Sequence, residues 1–119
     1  MDAMTLLHER RSMGKLAGPA PTAEQLDALY RAALRAPDHK EMTPYRFIEI
    51  SGEGLDRLGE LFAQSDYQAN PHIDDGSLDA ARKKPKRAPM IIAVIARITP
   101  DLPKVPPVEQ IISAGCAAH

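Results

Sequence analysis

Apolar positions recur at helical spacing in some stretches of this chain and crowd into short runs in others, and the two patterns predict different elements. Asp2 is suited to cap a first helix with Ala3, Met4 and Leu7 turned inward, ending near Arg10-Arg11-Ser12. Gly14, Gly18, Pro19 and Pro21 make the next stretch a loop. Thr22 opens a second helix, and Gln25 three residues on completes a capping box. Leu26, Leu29, Tyr30, Ala33 and Leu34 then form one continuous stripe until Pro37, which disfavours helical dihedrals at Ala36.

Residues 38–44 are polar and lead into a strand over residues 45–51, rich in aromatic and β-branched side chains. Leu55, Leu58, Leu61 and Phe62 mark a third helix, and Gly52-Glu53-Gly54 before it reads as a turn. Residues 65–76 are polar and contain Asn70-Pro71 and Asp75-Gly76, which read as turns or a mobile excursion. Ser77 is placed to cap a short, increasingly basic helix broken by Pro85. The run Met90-Ile91-Ile92-Ala93-Val94-Ile95-Ala96 lacks polar alternation and predicts a strand buried on both faces. After a proline-rich connection, Pro107 and Glu109 suit the first turn of a last helix. Val108, Ile111, Ile112, Gly115, Cys116 and His119 share its expected inner face. That apolar row runs on to His119 without a cap, and only two strands are evident where an independently stable sheet needs a third. The expectation is a single domain that this chain leaves unfinished within its last helix.

Composition narrows the class. The 119 residues suit one domain, and a formal net charge of -1 provides no global field for nucleic acid or anionic membranes. One cysteine, Cys116, excludes an intramolecular disulfide and suits a reducing compartment, and no signal peptide is evident, so a cytoplasmic protein is expected. Eleven prolines punctuate the chain, and three tyrosines and two phenylalanines with no tryptophan leave an aliphatic core. No phosphate-cradling loop, HExxH or CxxC is present, and no serine has a nucleophile-elbow context.

The remaining chemistry lies in polar clusters. Arg10-Arg11-Ser12 offers two planar guanidinium forks and a hydroxyl, a donor set that matches phosphate oxygens. Taken by position, arginines at a helix C-terminus also simply complement the helix dipole. Arg35 with Asp38-His39-Lys40 places a cation, an imidazole and an ammonium beyond a sharply ended helix, where ligand-holding loops are common, although a solvated helix end has the same composition. His72 with Asp74 and Asp75 lacks a fourth metal ligand and reads as an exposed turn. Arg82-Lys83-Lys84-Pro85-Lys86-Arg87 reads as a solvated basic face, and Cys116 as a packed thiol.

In order and spacing these pieces resemble the FMN-dependent nitroreductase family over essentially the whole chain. The resemblance rests on Arg10-Arg11-Ser12, the Pro21-Thr22 helix start, Arg35-Ala36-Pro37-Asp38-His39-Lys40, and Thr43-Pro44-Tyr45-Arg46-Phe47. Lys104-Val105-Pro106-Pro107-Val108-Glu109-Gln110 and Ser113-Ala114-Gly115-Cys116-Ala117 resemble the start of the family's central helix. Many relatives carry asparagine and then Gln-Pro-Trp where this chain has Asp38-His39-Lys40 and Thr43-Pro44-Tyr45.

The resemblance implies an α+β fold with a mixed, mainly antiparallel sheet flanked by helices, and a homodimer sharing two FMN sites at its interface. It implies that Arg10, Arg11 and Ser12 meet the FMN phosphate and ribityl chain, with Arg35 and His39 near the cofactor. It also implies NAD(P)H as electron donor and a nitroaromatic, quinone or similar small molecule as acceptor, in a two-step ping-pong reaction. The flavin would carry that chemistry, so no catalytic side chain and no metal ligand is assigned. Two other functions are compatible with the sequence: a non-catalytic dimerisation module that no longer holds FMN, and a nucleic-acid-binding domain using Arg82 to Arg87. Near-zero net charge and few aromatics count against the second.

Overall fold

The computed structural model describes residues 2–119. Helix α1 (Ala3–Glu9) is capped by Asp2, whose carboxylate accepts the Thr5 N–H at 2.9 Å. α1 buries none of its residues: Met4 and Leu7, expected inside, are 58% and 61% exposed. Its apolar spacing has no facing surface among the described residues, since no other element packs closely on it.

Helix α2 (Ala23–Ala33) begins with the expected capping box: Gln25 N–H donates to Thr22 Oγ1 and Thr22 N–H to Gln25 Oε1. It ends a turn before Pro37, closed by i→i+3 bonds from Arg35 and Ala36 to Ala32 and Ala33. Of its apolar stripe, Leu26 is buried and Tyr30 and Ala33 are half-buried, while Leu29 and Leu34 face solvent.

Strands β1 (Tyr45–Ser51) and β2 (Met90–Ala96) pair antiparallel, from Tyr45 opposite Ala96 to Ser51 opposite Met90. Their bounds are those the sequence predicts. The burial of β2 is not, because it is half-buried along most of its length rather than enclosed. Among the described residues it has a single neighbouring strand, so one edge stays open. One face of the pair packs on helix α5 (Pro107–Ala118) and the end of α2, through a cluster of Tyr45, Ala114 and Ala117 with Ala33, Ala36, Phe47 and Val94 around it.

Helix α3 (Glu53–Ala69) follows Gly52, whose φ of 51° lies in the left-handed region glycine adopts readily. It continues through residues 65–69, where the sequence suggested an irregular excursion. Polar side chains do not break a helix, and the first residue in that stretch that does is Pro71. Helix α4 (Asp75–Lys83) is capped by Asp74, not Ser77: Asp74 accepts the Ser77 N–H at 2.9 Å and its hydroxyl at 2.7 Å. Asp75-Gly76 is therefore first-turn helix rather than a turn. A carboxylate three residues ahead of Ser77 outcompetes the hydroxyl as cap because it accepts both donors and meets the positive helix end. Pro85 ends the regular helix in a 3₁₀ turn over Lys84–Arg87.

The largest departure is in α5. Val108, Ile111 and Ile112, expected to face inward, are 59%, 54% and 59% exposed, and Cys116 is exposed as well. The opposite row, Gln110, Ser113, Ala114 and Ala117, is buried. Small and hydrogen-bonding residues let α5 sit close to the sheet and to two loops, which the branched aliphatic row would not.

Candidate functional site

Two loops converge on α5. The first joins α2 to β1 and holds Pro37, Asp38, His39 and Lys40; the second joins β2 to α5. Gln110 is 1% exposed and secures the second loop: its amide oxygen accepts the Thr99 N–H at 2.8 Å, and its amide nitrogen donates to the carbonyls of Thr99 at 2.9 Å and Val105 at 3.1 Å. Ser113 secures the first, donating its hydroxyl to the Pro37 carbonyl at 2.7 Å. One turn earlier, Glu109 Oε2 lies 2.9 Å from Nδ1 of His39. Lys40 Nζ reaches the Pro103 carbonyl at 3.4 Å and joins the loops to each other.

The first loop is held in an unusual backbone. Lys40, Glu41 and Thr43 have φ of 65°, 52° and 46°, the left-handed region that costs a non-glycine residue about 1–3 kcal/mol and persists where surroundings impose it. The imposing contacts are on hand: Asp38 accepts the Thr43 N–H at 2.5 Å, and α5 grips both Pro37 and His39. Beside this loop Tyr45 points its hydroxyl at the Ala33 carbonyl, 3.4 Å away; burial, and then the Asp38 charge, raise its pKa.

The residues expected to bind a cofactor fall into two groups. Arg10, at the C-cap of α1, and Arg11 and Ser12 beyond it are all exposed, with Arg10 Nη1 3.5 Å from Ser12 Oγ. Arg35 and His39 flank Pro37 on the α5-gripped loop, both exposed. Among the described residues no hydrogen bond or ion pair connects the groups. Nor do the guanidiniums of Arg10, Arg11 and Arg35 pair with any carboxylate there, whereas Arg31 pairs with Asp27 and Arg82 with Glu60 and Asp79. Arg46, Arg57, Arg87 and Arg97 are likewise without a carboxylate partner among the described residues, so what distinguishes Arg10-Arg11-Ser12 is that two guanidiniums and a hydroxyl are adjacent in the chain, a donor set that fits a phosphate ester.

The other polar clusters have local roles. Arg82 lies 3.0 Å from Glu60, and Lys86 pairs with Asp56, so two of the five cations between Arg82 and Arg87 are tied to α3 carboxylates. Asp74 is occupied in capping α4, which holds its pKa below the usual carboxylate range through the Ser77 hydroxyl and then the Ser77 N–H.

Sequence reasoning missed two features. Glu109 was expected only to complement a helix dipole, and Ser113 was given no function of its own; their i, i+4 spacing on an apolar helix was the available signal. The second is a groove of about 410 Å³ lined by Tyr30, Leu34, Thr43, Tyr45, Arg46, Phe47 and Glu49. In it Tyr30 stacks on Phe47 with ring centroids 5.0 Å apart and donates its hydroxyl to Glu49 at 2.5 Å. A shallow apolar groove of about 580 Å³ lies over Pro19, Ala20, Pro21, Gln25, Ala28 and Leu29. None of the five expected cofactor residues lines either one.

Comparison with known proteins gives this arrangement a setting. Residues 7–119 match the nitroreductase family. The chain is 50% identical over 117 residues to the Escherichia coli K12 protein named "Putative NAD(P)H nitroreductase YdjA", covering 98% of this chain and 62% of that protein. It is 44% identical over 119 residues to a Haemophilus influenzae protein named "Putative NAD(P)H nitroreductase", covering all of this chain and 64% of the relative. The chain thus spans less than two thirds of the length of these relatives. Among solved structures it resembles a nitroreductase-like family protein from Bacillus cereus, with a TM-score of 0.72 at 20% identity over 99% of this chain and 60% of that one. It also resembles a nitroreductase family protein from Clostridium novyi NT, with a TM-score of 0.66 at 23% identity over the same shares. The pattern of capped helices, antiparallel pair and α5-gripped loops is an α+β nitroreductase-like fold, and the chain belongs to the nitroreductase family.

Proposed function

We propose that this chain forms part of an FMN-dependent oxidoreductase that passes electrons from NAD(P)H to nitroaromatic, quinone or similar small-molecule acceptors in two half-reactions. The observation that carries this reading is the exposed, adjacent donor set Arg10-Arg11-Ser12, without a carboxylate partner among the described residues, in a chain of this family. Arg10 and Arg11 would hold the FMN phosphate by charge-assisted hydrogen bonds, with the Ser12 hydroxyl as a further donor. Arg35 and His39, on a loop rigidly tied to α5, would stand near the cofactor. When bound, FMN supplies the electron-transfer chemistry, so the protein's part is to bind and orient it. The names of the Escherichia coli and Haemophilus influenzae relatives support NAD(P)H as donor.

A homodimer belongs to the same reading. The exposed row of Val108, Ile111 and Ile112 on α5 is an apolar surface of the kind that subunit contacts cover. Two subunits meeting there would bring α5, and the loop it holds, to their interface. No described helix is long and apolar enough to cross a membrane.

The test is direct. The full-length protein is purified, its flavin is identified after heat release, and NAD(P)H oxidation is followed with a nitroaromatic and a quinone. Stoichiometric FMN with acceptor-dependent turnover is expected. A colourless protein that takes up no added FMN yet still dimerises would instead identify a non-catalytic dimerisation module.

A further inference from the structure

The contact between His39 and Glu109 carries more information than proximity. A carboxylate near neutral pH only accepts hydrogen bonds, so a ring nitrogen 2.9 Å from Glu109 Oε2 must carry a proton, and that nitrogen is Nδ1. A neutral imidazole has one ring proton, which leaves Nε2 with an open lone pair. Nε2 has no hydrogen-bond partner among the described residues, and the His39 side chain is 49% exposed. The Glu109 contact sets the ring's orientation, and the main chain that carries the ring is itself held in place. Its own backbone is fixed by Ser113 at Pro37, by Asp38 at Thr43, and by the left-handed conformations of Lys40 and Glu41 that follow it.

We infer that Glu109 is a positioning residue that locks His39 in the Nδ1–H tautomer and presents Nε2 outward as a hydrogen-bond acceptor for a bound ligand. This rests on the reading of His39 as a flavin contact and makes it chemically specific. The group that meets neutral His39 must then be a donor. An imide N–H of the flavin ring or a ribityl hydroxyl has that character, and a carbonyl or phosphate oxygen does not. Histidines held by a carboxylate on one nitrogen and reading a ligand with the other follow this pattern widely, because the second partner fixes both tautomer and ring orientation.

The experiment uses the full-length protein, labelled with ¹⁵N-histidine and freed of flavin, at about pH 8, above the ordinary imidazole range. Long-range ¹H–¹⁵N correlation spectra distinguish a protonated from an unprotonated ring nitrogen. Wild type is expected to show Nδ1 protonated and Nε2 bare at His39. Glu109→Ala should shift His39 toward the Nε2–H form that an unconstrained side chain prefers, whereas Glu109→Gln, whose amide oxygen still accepts, should retain Nδ1–H. Added FMN should bind Glu109→Ala about two- to tenfold more weakly than wild type, the scale of one misdirected hydrogen bond. An Nε2–H wild type, or identical patterns in wild type and Glu109→Ala, would overturn the positioning role while leaving His39 free to be a flavin contact. The expected tautomer shift, combined with unchanged FMN affinity in both Glu109→Ala and His39→Ala, would uphold the positioning and remove the flavin contact instead.

Discussion

A β-carbon added at Gly59 would lie 2.3 Å from the carbonyl oxygen of Arg82. Helices α3 and α4 therefore cross with backbone nearly touching backbone, and the closeness brings the Arg82 guanidinium within 3.0 Å of Glu60.

From this crossing follows the effect of Gly59→Ala. Alanine ordinarily favours a helix interior over glycine by up to about 1 kcal/mol. Here the methyl would collide with backbone that cannot rotate aside, so the variant should be less stable, by roughly 1–3 kcal/mol net. Chemical denaturation of the full-length protein checks it, and a variant as stable as wild type would mean that the helices part at little cost. Arg82→Ala removes only solvent-screened ion pairs and should destabilise the protein far less than Gly59→Ala.

Tyr30 should be the last tyrosine to ionise. Its hydrogen bond to Glu49 pushes its pKa up to about 12, with desolvation and the Glu49 charge adding to the effect. Because the folded value lies above the unfolded one, the stabilisation is fully present below about pH 10 and is lost as pH rises through about 12. A spectrophotometric titration should show a last phenolate, later than that of Tyr45, that Tyr30→Phe abolishes and Glu49→Ala moves back toward the ordinary range.

Gln110 joins both strands of the loop between β2 and α5 with three hydrogen bonds from a fully buried position. Gln110→Leu nearly preserves volume but strands backbone donors and acceptors at Thr99 and Val105. A loss on the order of 2–3 kcal/mol is expected. Amide exchange should locate the weakening at residues 98–106 rather than across the sheet.

On the proposed function, Arg10→Ala or Arg11→Ala in the full-length protein should weaken FMN binding by the equivalent of about 1.5–3 kcal/mol. Lys84→Ala, which removes an exposed cation just past the end of α4, should cost under about 0.5. Flavin titrations giving equal dissociation constants for all three would show that the arginines only terminate α1.

Thr22→Ala tests a feature that was legible in advance. Losing the reciprocal Thr22–Gln25 cap should cost about 1 kcal/mol.

What the sequence determined by itself was mostly local. The Thr22 box, the stop before Pro37, the strand bounds at Tyr45–Ser51 and Met90–Ala96 and the start of α5 at Pro107 all depend on dihedral preferences and short-range hydrogen bonds, which a few neighbouring residues decide. The order and spacing of Arg10-Arg11-Ser12, the Pro21-Thr22 helix start, Arg35 to Lys40, Thr43 to Phe47 and the Lys104 to Ala117 stretch were together enough to recognise the family. Which side of a helix faces the core was decided only in three dimensions. In α5 the aliphatic row Val108, Ile111 and Ile112 looked like the inner face, yet the structure buries Gln110, Ser113, Ala114 and Ala117. Hydrophobicity ranks faces by transfer free energy alone, whereas packing also selects for close approach and for partners to buried carbonyls at Pro37, Thr99 and Val105. Those carbonyls lie 5 to 76 positions away in the chain, and only the folded backbone brings them to the helix that satisfies them.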